Sequence, residues 1–194
     1  MVDRRQAMAA SRDTPGMREL TLRPARPDEA EVLFAIHREA ALLAYAHIFP
    51  PDRYAFPDAE MRAHWTELLA RGEAKTVIAE RAGVAVGFVV VSPGWLRNLF
   101  VAPEEWGHGA GTALHDEAVE LLHAAGAGAR LWVLEANDRA RAFYEHRGWR
   151  PDGGRRRAEY PPYPATLRYA LDLGGGAASD PSQTPTHPGE QSRA

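Results

Sequence analysis

A glycine-rich stretch between an apolar segment and a helical one constrains the fold of this chain more than any other feature. The apolar, strand-like segment ends at Val101, and three glycines follow at alternate positions, Gly107, Gly109 and Gly111. Because glycine has no Cβ, such a turn lets main-chain N–H groups crowd around a ligand at a helix N-terminus, where an anion is favoured. The stretch therefore predicts a phosphate-binding turn, with close helix–sheet packing as an equally weighted alternative.

Two familiar nucleotide motifs do not fit this stretch. A dinucleotide fingerprint needs G-x-G-x-x-G, whereas the sequence here is G-x-G-x-G. A P-loop needs a lysine after its last glycine, and Lys75, the only lysine of the chain, lies upstream. The anion therefore has to be identified from other residues.

Composition excludes several classes of function. The absence of cysteine excludes disulfides, thiolate metal sites and an acyl-cysteine intermediate, and we expect no metal. A formal net charge of −3 argues against a nucleic-acid-binding protein. No apolar run approaches the roughly 18 residues that span a bilayer, and residues 1–16 lack the apolar centre of a signal peptide. These features predict a soluble, cytoplasmic protein with no nucleic-acid or membrane partner.

The length of 194 residues favours a single domain. Residues 1–17 are small, polar and aperiodic, and residues 174–194 are rich in Gly, Pro, Ser and Thr. Neither segment has enough apolar surface to offset the entropy of ordering it, so both are predicted to be disordered tails. The folded domain is therefore expected over residues 18–173.

Hydrophobic periodicity within that domain predicts an α/β (α+β) fold. The expected elements, in order, are strand 20–22, helix 28–43, helix 58–69 with Gly72 as its stop, strands 76–79, 84–91 and 95–101, a helix that carries residues 113–122 and stops at Gly126, strand 131–134, helix 138–147, and two final strands, one from Trp149 onward and one over 166–173. Because one strand–helix–strand step is embedded among hairpins, the sheet is expected to be mixed and parallel only at that crossover.

A second polar pattern opens the last predicted helix. Asn137 is placed at its N-cap, where a side-chain oxygen can accept from an exposed amide. Tyr144 follows seven positions later on the same face, with the small Ala140 between them. The pattern predicts a shallow groove with a polar group at each end. An ordinary capped helix with a half-buried tyrosine is the alternative, and it is the commoner case for this pattern alone.

Together these segments resemble the GNAT superfamily of acetyl-CoA-dependent N-acetyltransferases. The resemblance rests on Leu96-x-x-Leu99-x-Val101-x-Pro103, the glycine run, Asn137-x-x-Ala140-x-x-Phe143-Tyr144, and Gly148-Trp149. It spans about residues 18–173, and its specific motifs lie between about 96 and 149. One position departs, since Trp106 stands where the family usually has Arg or Gln. Because main-chain amides make most of the family's diphosphate contacts, this departure weakens the match without breaking it.

The resemblance implies a single-domain GNAT-like fold, with a mostly antiparallel sheet splayed at a central parallel strand pair and flanked by helices. It also implies acetyl-CoA as co-substrate. The residues implied to bind it are Leu99 and Val101 beside pantetheine, Gly107, His108, Gly109, Ala110, Gly111 and Thr112 around the diphosphate, and Asn137 on the pantetheine arm. An amide near Val101 would polarise the thioester carbonyl, and Tyr144 would protonate the departing thiolate.

Because the chain has no cysteine, the expected chemistry is direct attack of a primary amine on the thioester in a ternary complex. A small-molecule amine is the expected acceptor, with a protein N-terminus or a lysine as the second choice. A non-catalytic acyl-CoA-binding sensor or interaction module is the alternative, and Tyr144 favours the enzyme because a pure binder needs no thiolate acid. The oligomeric state stays open, with a homodimer among the alternatives.

The group that accepts the amine's proton also stays open. The candidates are His37, Glu39, His47, Glu80, Glu135 and, as a holder of water, Asn98. Each residue type is more typical of an ordinary surface or core position than of a general base. Arg97 and Asn98 are polar residues in an interior strand, so we expect them to face a cleft or a partner.

By the same resemblance, the acceptor region is expected from the first two helical segments and the final hairpin. The residues concerned are Tyr45, His47, Phe49, Tyr54, Trp65 and the proline-stiffened loop 160–164. The alternative is a rigid loop whose tyrosines cover the core. Arg155, Arg156 and Arg157 follow two glycines and are predicted to form a solvated hairpin tip, with attraction of an acidic substrate or an adenosine phosphate as the alternative.

Overall fold

The structure is a computed structural model that describes residues 19–126 and 128–174. The two predicted disordered tails lie outside the described residues, apart from Gly174. The strands are β1 (Leu20–Pro24), β2 (Lys75–Arg81), β3 (Val84–Ser92), β4 (Trp95–Val101), β5 (Ala129–Leu134), β6 (Arg150–Arg157) and β7 (Ala165–Leu171). The helices are α1 (Ala30–Ala44), α2 (Asp58–Arg71), α3 (Ala110–Ala124) and α4 (Asp138–His146), with a 3₁₀ turn at Pro103–Glu105.

The seven strands form one mixed sheet in the order β1-β2-β3-β4-β5-β7-β6. Among the described strands, only β4 and β5 run parallel, and their pairing is confined to Trp95 and Arg130. Beyond that point the two strands diverge. The expected mixed sheet, parallel only at the crossover, is therefore confirmed, and the divergence opens the middle of the sheet.

Helices cover the two faces of the sheet and bury two apolar clusters. On one face, Leu114 of α3 packs in a cluster with Val89 and Leu131. On the other face, Leu33 of α1 and Trp65 of α2 pack against Phe88. The helical stripes seen in the sequence are thus the faces that bury these side chains. α4 follows β5 directly, so it lies beside the opening between β4 and β5.

A buried carboxylate fixes the start of α1 to the sheet. Glu29, 5% exposed, directly precedes the helix. Its oxygens accept hydrogen bonds from Arg23 of β1 at 2.8 and 2.6 Å and from the main-chain N–H of Arg26 at 2.7 Å. The hydrogen bonds from Arg23 lower the pKa of Glu29 to about 2, although burial opposes them. The cluster therefore stabilises the ionised carboxylate.

We expect Glu29→Gln to lower the free energy of unfolding by about 2 kcal/mol near neutral pH, because the amide presents N–H donors to Arg23. The folded-state pKa lies below the ordinary value of 4.5. The stabilisation is therefore present above that value and is lost as the pH falls from 4.5 toward 2. Denaturant unfolding of the wild type and the variant at several pH values measures the difference between their free energies of unfolding.

The control for Glu29→Gln is Glu31→Gln on the same helix, where an exposed carboxylate pairs with Arg62. That substitution should change stability by less than about 0.5 kcal/mol. A stability gap between Glu29→Gln and the wild type that does not narrow on acidification would contradict the assignment.

The expectation for the arginine run was wrong. Arg155, Arg156 and Arg157 belong to β6 and pair with β7, and the hairpin tip lies beyond them at about 158–164. Gly153 and Gly154 form no turn. Instead, Gly153 has a φ of +88° where the β6–β7 register shifts, and a Cβ on Gly154 would lie 2.8 Å from the Arg168 side chain. The glycines therefore allow an irregularity inside the strand.

No helix in the described ranges 19–126 and 128–174 is long and apolar enough to cross a membrane.

Candidate active site

The divergence of β4 and β5 creates a cleft of about 580 Å³. It passes through the sheet, because its walls come from α1 on one face and from α3 and α4 on the other. The lining residues are Ala40, Ala44, Tyr45, Leu96, Arg97, Asn98, Leu99, Phe100, Val101, Glu105, Trp106, Gly107, Gly109, Gly111, Thr112, Leu131, Trp132, Val133, Leu134, Asn137, Arg139, Ala140, Phe143, Tyr144, Arg147 and Thr166. The two sequence motifs therefore meet at one cleft.

The glycine turn presents unpaired amides at the start of α3. Gly109 is the N-cap residue, with a φ of +91°, and Gly107 has a φ of +82°. Both lie in the left-handed region that favours glycine. Within the described residues, the N–H groups of Gly109, Ala110, Gly111 and Thr112 have no hydrogen-bond acceptor. This set of donors at a helix N-terminus fits an anion.

Trp106 holds the glycine turn against the end of β4. Its indole N–H donates to the Val101 carbonyl oxygen at 2.8 Å. The guanidinium of Arg139, from α4, lies over the indole ring at 3.8 Å from its centroid. The position that departs from the family pattern therefore carries no charge itself but positions a cation from the neighbouring helix.

A second arginine, at the C-cap of α4, reaches the same turn. Arg147 Nη2 donates to Thr112 Oγ1 at 2.5 Å, and its guanidinium lies 3.8 Å from the centroid of the Phe143 ring. Both Arg147 and Arg139 line the cleft. One cation from α4 and one from its C-cap thus flank the free amides, which strengthens the positive potential of the helix N-terminus.

The edge of β4 toward β5 is free over the predicted residues. The Ala102 N–H donates to Val86 of β3 at 2.8 Å. Because peptide groups alternate along a strand, those of Leu99 and Val101 point away from β3 and into the cleft. The Val101 carbonyl oxygen accepts from the Trp106 indole N–H, whereas the Val101 N–H stays available as a donor to a ligand. An extended ligand arm can pair with this edge as a strand would.

Asn137 caps α4, as predicted. Its Oδ1 accepts from the Ala140 N–H at 3.1 Å, and the residue is 9% exposed. The Nδ2 group has no acceptor among the described residues, and the side chain lines the cleft. Asn137 therefore offers two amide donors to a ligand.

Next to Asn137, His47 Nε2 donates to the Ala136 carbonyl oxygen at 2.8 Å and joins the segment after α1 to the start of α4.

Tyr144 lines the middle of the cleft and is 8% exposed. Its ring packs against Phe143 and Trp149, at centroid distances of 5.3 and 5.9 Å. The hydroxyl has no hydrogen-bond partner among the described residues. Burial raises the pKa of Tyr144 well above its ordinary value, and the nearby Tyr45 adds to this. The phenol is therefore a protonated donor at any physiological pH.

Tyr45, at the end of α1, lies on the opposite wall of the cleft from α4. Burial raises the pKa of this phenol to about 12. The residue was predicted only as part of the acceptor region, and it lines the same cleft as Tyr144. Two protonated phenols therefore flank the space between the helices.

The six candidates for the proton acceptor are mostly outside the cleft. Asn98 alone among them lines it. Glu80 is bonded to Arg23, Glu135 is paired with Arg155 at 2.8 Å, and Glu39 is exposed. His47 is bonded to the loop before α4. The described candidates therefore include no ionisable side chain within the cleft.

His37 is a packing residue rather than a free base. Its Nδ1 accepts from the Trp65 indole N–H at 3.3 Å, and its ring lies 4.2 Å from that of Phe100. Burial lowers the pKa of His37 to about 4. Trp65, expected in the acceptor region, is fully buried in the core between α1, α2 and the sheet.

The final hairpin approaches the second helix. Tyr160 is 38% exposed, and burial, followed by the charge of Glu60 on α2, raises its pKa; Tyr163 is 49% exposed. Neither tyrosine lines the cleft itself. The loop therefore borders the acceptor side without forming its wall.

Sequence reasoning missed several residues that line the cleft. They are Arg139 of α4, Arg147 at its C-cap, Trp132 of β5 and Thr166 of β7. Arg147 follows Tyr144 by three positions, a spacing that keeps it near that face, whereas Arg139 follows Asn137 by two positions and gave no such signal. Trp132 and Thr166 carried no such signal, because their place depends on how the sheet pairs.

Sequence comparisons relate this chain to known N-acetyltransferases. The acetyltransferase (GNAT) family model matches residues 19–149, which contain both the glycine turn and α4. An uncharacterized N-acetyltransferase of Archaeoglobus fulgidus is 34% identical over 108 residues, which are 49% of this chain and 74% of that protein.

Solved structures show the same fold. A GCN5-related N-acetyltransferase from Rhodopseudomonas palustris has a TM-score of 0.66 at 25% identity, covering 80% of this chain and 97% of that one. The PaiA N-acetyltransferase from Thermoplasma acidophilum, in complex with coenzyme A, has a TM-score of 0.58 at 17% identity, covering 77% and 98%.

Proposed function

Since the chain belongs to the GNAT family of acetyl-CoA-dependent N-acetyltransferases, we propose that its cleft transfers an acetyl group to a small-molecule primary amine. The observation that carries this proposal is the meeting, at one opening of the sheet, of free helix N-terminal amides and a protonated phenol. The related PaiA structure contains coenzyme A, which has a diphosphate and an extended arm of this kind.

The chain's own groups fit that ligand. The amides of Gly109 to Thr112 would hold the diphosphate, together with Arg139 and Arg147. The free edge of β4 at Leu99 and Val101 would pair with the pantetheine arm, and Asn137 Nδ2 would donate to it. Gly107, with a φ of +82°, and His108 complete the turn, and both residues are exposed, which keeps the approach open.

The reaction proposed is a direct transfer. Acetyl-CoA supplies an activated thioester, whose C–S bond breaks as the amine nitrogen forms the new bond to the acetyl carbon. The Val101 N–H would polarise the carbonyl that receives charge. Tyr144 would donate its phenolic proton to the leaving sulfur. Asn98 would hold a water that takes the proton from the amine, and proton exchange with solvent would restore Tyr144.

Release of free coenzyme A thiol from acetyl-CoA, measured over a panel of primary amines, tests this function. We expect amine-dependent release together with a product that has gained one acetyl group by mass. Binding of acetyl-CoA without amine-dependent release would contradict the proposal.

We expect Arg139→Gln to raise the Kd for acetyl-CoA about 10-fold with little change in kcat, because the variant loses one charge-assisted contact to phosphate. Isothermal calorimetry measures the Kd, and S-acetylpantetheine, which has no diphosphate, separates the contact from general damage. The substitution should not change the Kd for S-acetylpantetheine. Arg141→Gln is the control, since this neighbour bonds to Tyr169 outside the cleft. Equal losses for both ligands would contradict the role of Arg139.

A further inference from the structure

A cationic aromatic face borders the cleft on the side away from the glycine turn. It consists of Trp95, Arg97, Trp132 and Arg156, which we call the Arg–Trp face. The two indoles are stacked, with centroids 6.4 Å apart and ring planes 9° from parallel. The Arg156 guanidinium lies 4.4 Å from the Trp132 centroid, and that of Arg97 lies 5.5 Å from the Trp95 centroid.

Strand alternation sets the direction of this face. Leu131 and Val133 of β5 pack in the cluster beneath α3, so Trp132 between them points to the opposite side of the sheet. That is the side of α1, from which Tyr45 lines the cleft. The Arg–Trp face therefore borders the side from which an acceptor would enter, rather than the side of the diphosphate turn.

A β-bulge brings Arg97 to the cleft. Val90 of β3 pairs with Asn98 and Val91 pairs with Leu96, so Arg97 is the extra residue of β4. A bulge re-aims the side chain that it contains. Arg97 Nε donates to Ser92 Oγ at 2.7 Å, and Arg97 and Trp132 both line the cleft. The face and the cleft are therefore continuous.

The positive charge of the face is uncompensated. Two neighbouring arginines are neutralised, since Arg168 pairs with Asp152 at 2.7 Å and Arg155 pairs with Glu135 at 2.8 Å. Within residues 19–126 and 128–174, neither Arg97 nor Arg156 has a carboxylate partner. Such a patch is notable in a chain of net charge −3, and it would attract an anion to one mouth of the cleft.

We propose that the Arg–Trp face binds an anionic group of the acceptor, so that the preferred acceptors are primary amines that also carry a carboxylate or a phosphate. This inference rests on the proposed acetyl transfer. The arginines hold the anion by charge-assisted hydrogen bonds, and the indoles keep the guanidinium groups in place. The amine of the same molecule then faces the space beside Asn98 and Tyr144.

The test compares kcat/KM for matched acceptors that differ in charge, β-alanine with β-alaninamide and phosphoethanolamine with ethanolamine. The wild type should favour the anionic member of at least one pair. The pair with the larger ratio of kcat/KM between its anionic and neutral members identifies carboxylate or phosphate as the group bound. Added salt should lower the preference, because it screens exposed charges.

The variant Arg97→Gln/Arg156→Gln should lower kcat/KM at least about 10-fold for anionic acceptors and less than about twofold for neutral ones. Its Kd for acetyl-CoA should not change. Arg150→Gln is the matched control, since it removes a charge from β6, the strand of Arg156, at a position that does not line the cleft. This variant should keep the preference for anionic acceptors.

A wild type that favours neutral acceptors, or losses that are equal for both charges, would overturn the inference. Acetyl-CoA binding with no turnover of any acceptor would contradict the proposed function, on which this inference rests. Turnover of anionic and neutral acceptors by the wild type with equal kcat/KM would overturn the inference alone.

Discussion

Replacing Tyr144 by phenylalanine is expected to lower kcat for acetyl transfer about 100-fold and to change the Kd for acetyl-CoA less than twofold. The ring would keep its packing against Phe143 and Trp149, because the substitution removes only the hydroxyl. That hydroxyl has no hydrogen bond to lose among the described residues. The expected cost is therefore confined to the step in which the leaving sulfur takes a proton.

The pH dependence follows from the direction of the pKa shift. Burial raises the pKa of Tyr144 above its ordinary value of 10.0, so the phenol stays protonated as the pH rises. We therefore expect kcat to show no descending alkaline limb from this group up to about pH 10. A steady-state pH profile with a saturating amine measures it.

The matched control for this prediction is Tyr169→Phe. Tyr169 is fully buried in the same cluster but donates to Glu145 at 2.6 Å and does not line the cleft. Loss of the Tyr169 hydroxyl should lower the free energy of unfolding and leave kcat unchanged. An unchanged kcat for Tyr144→Phe, or an equal fall for both variants, would remove Tyr144 from the chemistry.

Replacing Gly109 by valine is expected to raise the Kd for acetyl-CoA at least about 100-fold. Gly109 has a φ of +91°, which a β-branched residue adopts only with strain. The strain would rotate the peptide groups that precede α3 and so misdirect the free amides. A Cβ at Gly109 would also project into open space at the helix N-terminus, since no described atom lies within 4 Å of it. That space is where the diphosphate would lie.

Gly126→Val, at the other end of α3, controls for strain. Gly126 has a φ of +62°, and its Cβ would also meet nothing within 4 Å. Both variants should therefore lose comparable stability, which thermal unfolding measures, but only Gly109→Val should lose binding in calorimetry. Normal affinity in folded Gly109→Val would contradict the diphosphate turn.

The fold was largely predictable because each element carried its own signal. The apolar spacing from Val32 to Leu43 predicted α1, and the glycine at position 72, with a φ of +63°, ends α2 where expected. The strand–helix–strand step at the glycine run predicted the parallel pairing of β4 and β5. The arginine run was placed wrongly, because the same glycine pair is typical of a turn and of an irregular strand, and only pairing with β7 distinguishes them.

The site was predictable in part for a similar reason. The glycine turn and Asn137 are local motifs, so their geometry could be predicted from spacing. The role of Trp106 as a support for Arg139 could not, because it depends on how α4 packs beside the turn. The Arg–Trp face was hidden for the same reason, since it joins side chains of three strands that are distant in sequence.

The amide resonances of residues 108–112 test the central claim most directly. In a ¹⁵N-correlated NMR titration with acetyl-CoA, we expect the largest chemical-shift changes at the N–H groups of Gly109 to Thr112. Coenzyme A, which has the same diphosphate, should cause similar changes. Binding of acetyl-CoA that leaves these amides unmoved would contradict the account.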